Sequence, residues 1–87
     1  MAGINADPDK LRDLSKKLQA AGMELEQLRT QITRSFQAAR WDDSEAQRFW
    51  QGLDADLKAV QRIGQKLRSD YPKTLERKAR ALDDFRR

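Results

Sequence analysis

Two runs of apolar residues, each spaced alternately three and four apart and separated by one break, constrain this chain more than any other feature. The first passes Leu11, Leu14, Leu18, Ala21, Leu25, Leu28, Ile32, Ser35 and Ala39, and Phe36 broadens it. The second passes Ala46, Phe49, Leu53, Leu57, Val60, Gly64, Leu67, Tyr71 and Leu75, with Trp50 and Ile63 at its margins. A strand would alternate every second residue, whereas a three-four alternation lays a continuous stripe along one side of an α-helix. The expectation is an all-α chain of two long helices with heptad character.

Local signals place the ends. In Asp7-Pro8-Asp9, Asp7 can cap free backbone N–H groups, Pro8 suits the first helical position, and Asp9 brings negative charge to the first turn. Helix 1 is expected over about residues 8–39, interrupted only by Gly22. Residues 40–43 form the turn. Asp42, Asp43 and Ser44 are all good caps for a second helix, and either Asp42 with Glu45 or Ser44 with Gln47 fits a capping box. Helix 2 then runs over about 44–85, with a kink near Pro72 because proline removes a helical hydrogen bond and crowds the preceding turn. Gly64 lies on the stripe, where it could let two backbones approach. Gly52 lies off it and has no evident purpose.

So short a connection makes the helices antiparallel neighbours. Residues 1–87 form a single helical-hairpin domain. Two helices cannot enclose a core, so the seam calls for a second hairpin and a four-helix bundle. The expected packing and dimer residues are Leu11, Leu14, Leu18, Leu25, Leu28, Ile32, Phe36, Trp50, Leu53, Leu57, Val60 and Leu67. Trp50 is either an interface aromatic or a lid folded over helix 1. With the turn centred near Trp41–Asp43, residues after about 78 overhang helix 1. Their apolar Leu82 and Phe85 then either fray or meet another chain.

Composition narrows the chemistry. The 87 residues contain no cysteine and no histidine. Disulfides, thiolate metal sites and the commonest general base are therefore excluded. Asp42-Asp43 is accounted for by capping, and Asp83 and Asp84, adjacent on one helix, point in different directions. No catalytic, cofactor-binding or metal site is expected, and the chain is read as a non-enzyme. Residues 1–71 carry 12 Lys/Arg against 11 Asp/Glu, whereas residues 72–87 carry 6 against 3, so the surplus of the +4 chain sits at its end. Cations there suit a helix C-terminus. A nucleic-acid-binding bundle using residues 77–87 is a minor alternative, since Glu76, Asp83 and Asp84 interrupt the basic run. No stretch is long and apolar enough to span a membrane, and Met1–Asp7 lacks the basic-then-apolar order of a signal peptide.

The break itself carries a pattern. Trp41, Asp43, Ala46 and Phe49 read W-x-D-x-x-A-x-x-F at the turn between two heptad-patterned helices. In motif, length and position of the turn the chain resembles the WXG superfamily, the early-secretory-antigen-like small proteins of bacterial type VII secretion. Trp41 matches the family's turn tryptophan, and Ala46 and Phe49 its small and aromatic positions; Asp43 stands where the family usually has glycine. The family's tail signal, Tyr followed four residues later by Asp or Glu, is not matched, because Leu75 follows Tyr71 at that distance. The resemblance implies a secretion substrate, or a small partner of a larger effector, that pairs with itself or with a related small helical protein. A secretion ATPase is a further implied partner. The implied location is the bacterial cytoplasm, with export that needs no cleavable signal peptide. A cytoplasmic coiled-coil adaptor unrelated to secretion is the alternative. Trp41 either caps the end of the bundle or contacts a partner.

Overall fold

The structure is a computed structural model that describes residues 6–85. It is all-helical, with no strand among those residues. Helix α1 spans Pro8–Ala38. A second arm returns alongside it as α2 (Ser44–Gln65), a π turn over Lys66–Asp70, and α3 (Tyr71–Phe85). The Asp7 side chain accepts the Asp9 N–H at 2.9 Å, and Pro8 occupies the first turn. At the far end Arg40 takes a left-handed conformation (φ 52°) and donates its N–H to the Gln37 carbonyl at 3.2 Å. Left-handed backbone is glycine's territory, so Arg40 holds the turn at a steric cost of about 1 kcal/mol.

The hairpin is a rod of 65 × 22 × 15 Å with a radius of gyration of 19.3 Å. A compact domain of this length would have a radius near about 12 Å. The thin dimension is little more than one helix diameter, so the two arms form a single layer. The buried apolar residues are correspondingly small or few: Ala46, Leu57, Ala79 and Leu82.

The two arms touch along a line of seven-residue steps. On α1 it passes the buried Pro8, Ser15 and Gly22, then the part-buried Arg29 and Phe36. On the return arm it passes Trp50, Leu57 and Gly64, then Pro72 and Ala79. The middle is a crossing of glycines. A Cβ on Gly22 would lie 2.7 Å from the Gly64 carbonyl oxygen, and a Cβ on Gly64 would lie 3.4 Å from that of Gly22. A side chain at Gly22 would drive the backbones apart, whereas a Cβ at Gly64 would just touch the facing backbone.

The step from Gly64 to Pro72 is eight residues, not seven. The π turn supplies the extra one, and the Tyr71 N–H reaches back five residues to the Lys66 carbonyl. Pro72 has no N–H to give, and its ring crowds the carbonyl four residues earlier. A wider turn accommodates both, and the helix continues without stopping.

The face of helix 1 that meets its partner arm differs from the apolar stripe. Leu14 and Leu28 are about half exposed and Ile32 is 39% exposed, while Ser35 and Ala39 face solvent. Leu11, Leu18 and Leu25 are part-buried at the edge of the contact. The leucine stripe is turned away from the line of closest approach because only small residues fit where two backbones come this near. The tail also differs from expectation. Ala79 is fully buried and Leu82 nearly so, and Asp83 bonds to Arg12. Helical side chains lean toward the N-terminus, so Leu82 covers the turn before it, within reach of the start of α1. Overhang begins only at Phe85, which is 89% exposed.

The glycines give opposite predictions. Gly22→Ala should destabilise the hairpin by about 1–3 kcal/mol through overpacking, despite alanine's better helix propensity. At Gly52 an added Cβ would meet nothing within 4 Å. That site should show the propensity alone, so Gly52→Ala should stabilise by about 0.5–1 kcal/mol. Urea unfolding of both variants checks the pair, and equal signs would contradict the crossing.

Candidate interaction surface

The tip, the two flanks and the ion pairs together define what this rod presents. At the tip, Asp43 is the cap of α2. Its carboxylate accepts the Ala46 N–H at 2.9 Å, which fixes where the helix starts and leaves Asp42 free. Ala46 is 2% exposed, packed beneath the tip. Around it four aromatic rings gather. Phe36 stacks on Trp50 at 4.8 Å and on Phe49 at 6.0 Å, and Trp41 leans on Phe36 at 6.4 Å and on Phe49 at 5.4 Å. Trp50 thus lies over α1. Trp41 closes the end of the hairpin yet remains 37% exposed. Trp41, Asp43, Ala46 and Phe49, spaced apart in sequence, meet in one place with separate jobs.

The two flanks are unlike. One carries the ion pairs. Arg12 donates to Glu76 at 3.1 Å and to Asp83 at 2.8 Å, and Arg68 pairs with Glu26 across the hairpin. Each of these residues follows an inward-leaning leucine by one position: Leu11, Leu25, Leu67, Leu75 and Leu82. The other flank holds the residues that precede the contact line by one. These are Leu14 and Leu28 on α1, and Phe49, Ile63 and Tyr71 on the return arm, all about half exposed. Steps of about 100° per residue send these two sets to opposite sides of each helix. In an antiparallel pair, corresponding flanks meet. The cross-arm ion pairs fix the polar side, and the apolar residues share the other.

The expected packing residues divide accordingly. Leu57 is buried, and Leu11, Leu18, Leu25, Phe36, Trp50, Leu53, Val60 and Leu67 are part-buried. Leu14, Leu28 and Ile32 lie on the open side with Phe49 and Ile63. Sequence reading passed over Ser15, Gly22 and Arg29 as contact residues. Their seven-residue spacing was the available signal, masked by the leucines beside them. It also passed over Arg12, Glu76 and Asp83, whose separation in sequence hides the pairing.

The Glu76 carboxyl is held below its ordinary value, chiefly by the hydrogen bond from the Arg12 guanidinium, with the Arg12 and Arg80 charges adding to it. Arg12 is raised in turn, first by its bond to Glu76 and then by that to Asp83. Among the described residues, no three carboxylates gather where they could hold a metal ion. No helix there is long and apolar enough to cross a membrane. The chain matches no protein-family model, no curated protein and no solved structure.

The cap and the ion pair can each be tested by stability. Asp43→Ala leaves the first-turn N–H groups without their acceptor and should cost about 1 kcal/mol, read as a lower urea midpoint with unchanged slope. Glu76 binds its proton less readily in the folded chain than in the unfolded one. Its stabilising contribution is therefore present above its ordinary value and lost as pH falls through the lowered folded value. Arg12 stays charged throughout, so Glu76 sets the window. Stability of the wild type should converge on that of Glu76→Gln as pH drops below about 4, and a constant gap between them would contradict the pairing.

Proposed function

We propose that this chain is a WXG-like interaction protein, a helical hairpin completed by pairing. It serves as a substrate, or as the small partner of a larger effector, in a type VII-like secretion system. One observation carries the reading: all but one of the large apolar residues left open along the hairpin arms stand on one flank, and every cross-arm ion pair among the described residues stands on the other. Met23 is the exception: it lies beside the Glu26–Arg68 pair on the polar flank, a lone exposed apolar residue of the kind common on protein surfaces. A hairpin that met only water would have no reason to sort them so. Laying the open flank against that of a second copy, or of a related small hairpin, gives a four-helix bundle. The tip motif adds support, with Asp43 capping, Ala46 buried and Trp41 and Phe49 in tilted contact at the turn.

Charge favours an antiparallel pairing. Residues 40–48 carry Asp42, Asp43 and Glu45 against Arg40 and Arg48, a net of −1, whereas residues 72–87 at the opposite end carry 6 Lys/Arg against 3 Asp/Glu, a net of +3. Antiparallel copies bring these together, and parallel copies oppose like with like.

Analytical ultracentrifugation tests the pairing. The wild type should sediment as a dimer at about 10–100 µM, a range that a modest helical interface reaches. Leu28→Lys and Ile63→Lys should shift it toward monomer and lower its melting temperature, while Gln19→Lys on the polar flank should not. A wild-type monomer throughout that range overturns self-pairing. Recovery from cells only as an intracellular complex, with none in the medium, would favour the coiled-coil adaptor.

A further inference from the structure

The hairpin tip holds a cleft of about 250 Å³ walled by Phe36, Trp41, Trp50 and Ala46, with Asp42 and Gln47 at its rim. Phe36 stacks on Trp50 and meets Trp41 at a tilt, and Trp41, 37% exposed, is the most open of the three rings. Phe49, the tip aromatic of the apolar flank, is not among the walls. Gln47 follows the inward Ala46, on the line of the polar flank. The cleft therefore opens away from the flank assigned to pairing, and it stays accessible in a bundle.

Its chemistry is that of a cation receptor. Aromatic faces carry negative quadrupole charge and attract a cation laid over them, more strongly where water is partly excluded. A carboxylate at the rim adds a charge-assisted acceptor. Asp43 is spent on the Ala46 N–H, but Asp42 makes no hydrogen bond or ion pair among the described residues, and neither Arg40 nor Arg48 beside it neutralises it. The run from Trp41 to Gln47 is acidic within a chain of net charge +4. Nothing in the fold requires that carboxylate: the cap is Asp43, and the tip would close with any polar residue at 42.

We propose that the tip cleft binds the guanidinium of an arginine side chain from a partner polypeptide. The planar head stacks on the part-exposed Trp41 indole at the mouth of the cleft, and its N–H groups donate to the Asp42 carboxylate. Guanidinium stacks on aromatic rings and forks onto carboxylates, which an alkylammonium does less well. Binding of the cation does not depend on how the hairpins pair.

The two tryptophans give two indole N–H resonances, so titrations followed by ¹⁵N–¹H correlation spectra read the cleft directly. N-acetyl-arginine amide should shift both saturably, with a dissociation constant on the order of a millimolar for a ligand this small. N-acetyl-citrulline amide, with the same shape and no charge, should bind at least about tenfold more weakly, the difference expected for one charge-assisted contact. Asp42→Asn, which spares the cap, should remove most of that preference while leaving helicity unchanged. Equal binding of the arginine and citrulline compounds, or no saturable shift with either, overturns the proposal. So does tighter binding of choline than of arginine, which would make the cleft a receptor for a lipid headgroup.

Discussion

The close crossing of Gly22 and Gly64 governs the rest of the hairpin. With no Cβ on either side, the backbones approach until the Gly64 carbonyl sits where a Gly22 side chain would begin. That approach fixes the register, and seven-residue steps then place Ser15 and Pro8 opposite the small or ring-locked Pro72 and Ala79. The π turn belongs to the same arrangement. An unbroken α-helix would bring Tyr71, seven residues after Gly64, onto the contact line opposite a serine in the tightest part of the seam. One inserted residue moves Tyr71 to the flank and puts Pro72 on the line, where its lack of an N–H is already accommodated by the widened turn.

Much of this was legible in the residues. The three-four spacing gave two helices, Asp7-Pro8-Asp9 gave the start of the first, and the acidic run after Trp41 gave the return. Gly64 on the stripe hinted at the crossing. What stayed hidden has a common cause. Hydropathy ranks leucine above serine and glycine, so it finds the stripe with most apolar area, whereas the line of closest approach is set by which residues are small. In helix 1 the two lie side by side and differ by part of a turn. The choice of Asp43 over Asp42 or Ser44 as cap, and the left-handed Arg40, turned on backbone angles that three neighbouring polar residues do not determine. The cross-arm bonds of Arg12 were invisible for a simpler reason: charged partners that far apart in sequence show no local pattern.

The displacement of the leucine stripe has a consequence for association. Had Leu14, Leu28 and Ile32 pointed into the seam, the hairpin would have been thicker between its axes and sealed on both sides. Instead the glycine crossing uses little apolar area, and the leucines remain to be buried elsewhere. Burial stabilises by roughly 25 cal/mol per Å² of apolar surface, so a chain with so few buried large side chains is marginal alone and would gain most of its core from the proposed pairing. The ion-paired flank makes that choice one-sided. Docking an apolar partner surface there would desolvate Arg12, Glu76 and Asp83, a free-energy cost that the open apolar flank does not impose. Attraction on one side and a desolvation penalty on the other would orient the proposed partner without any lock-and-key detail. They leave the acidic, aromatic tip facing water, where a cation can reach it.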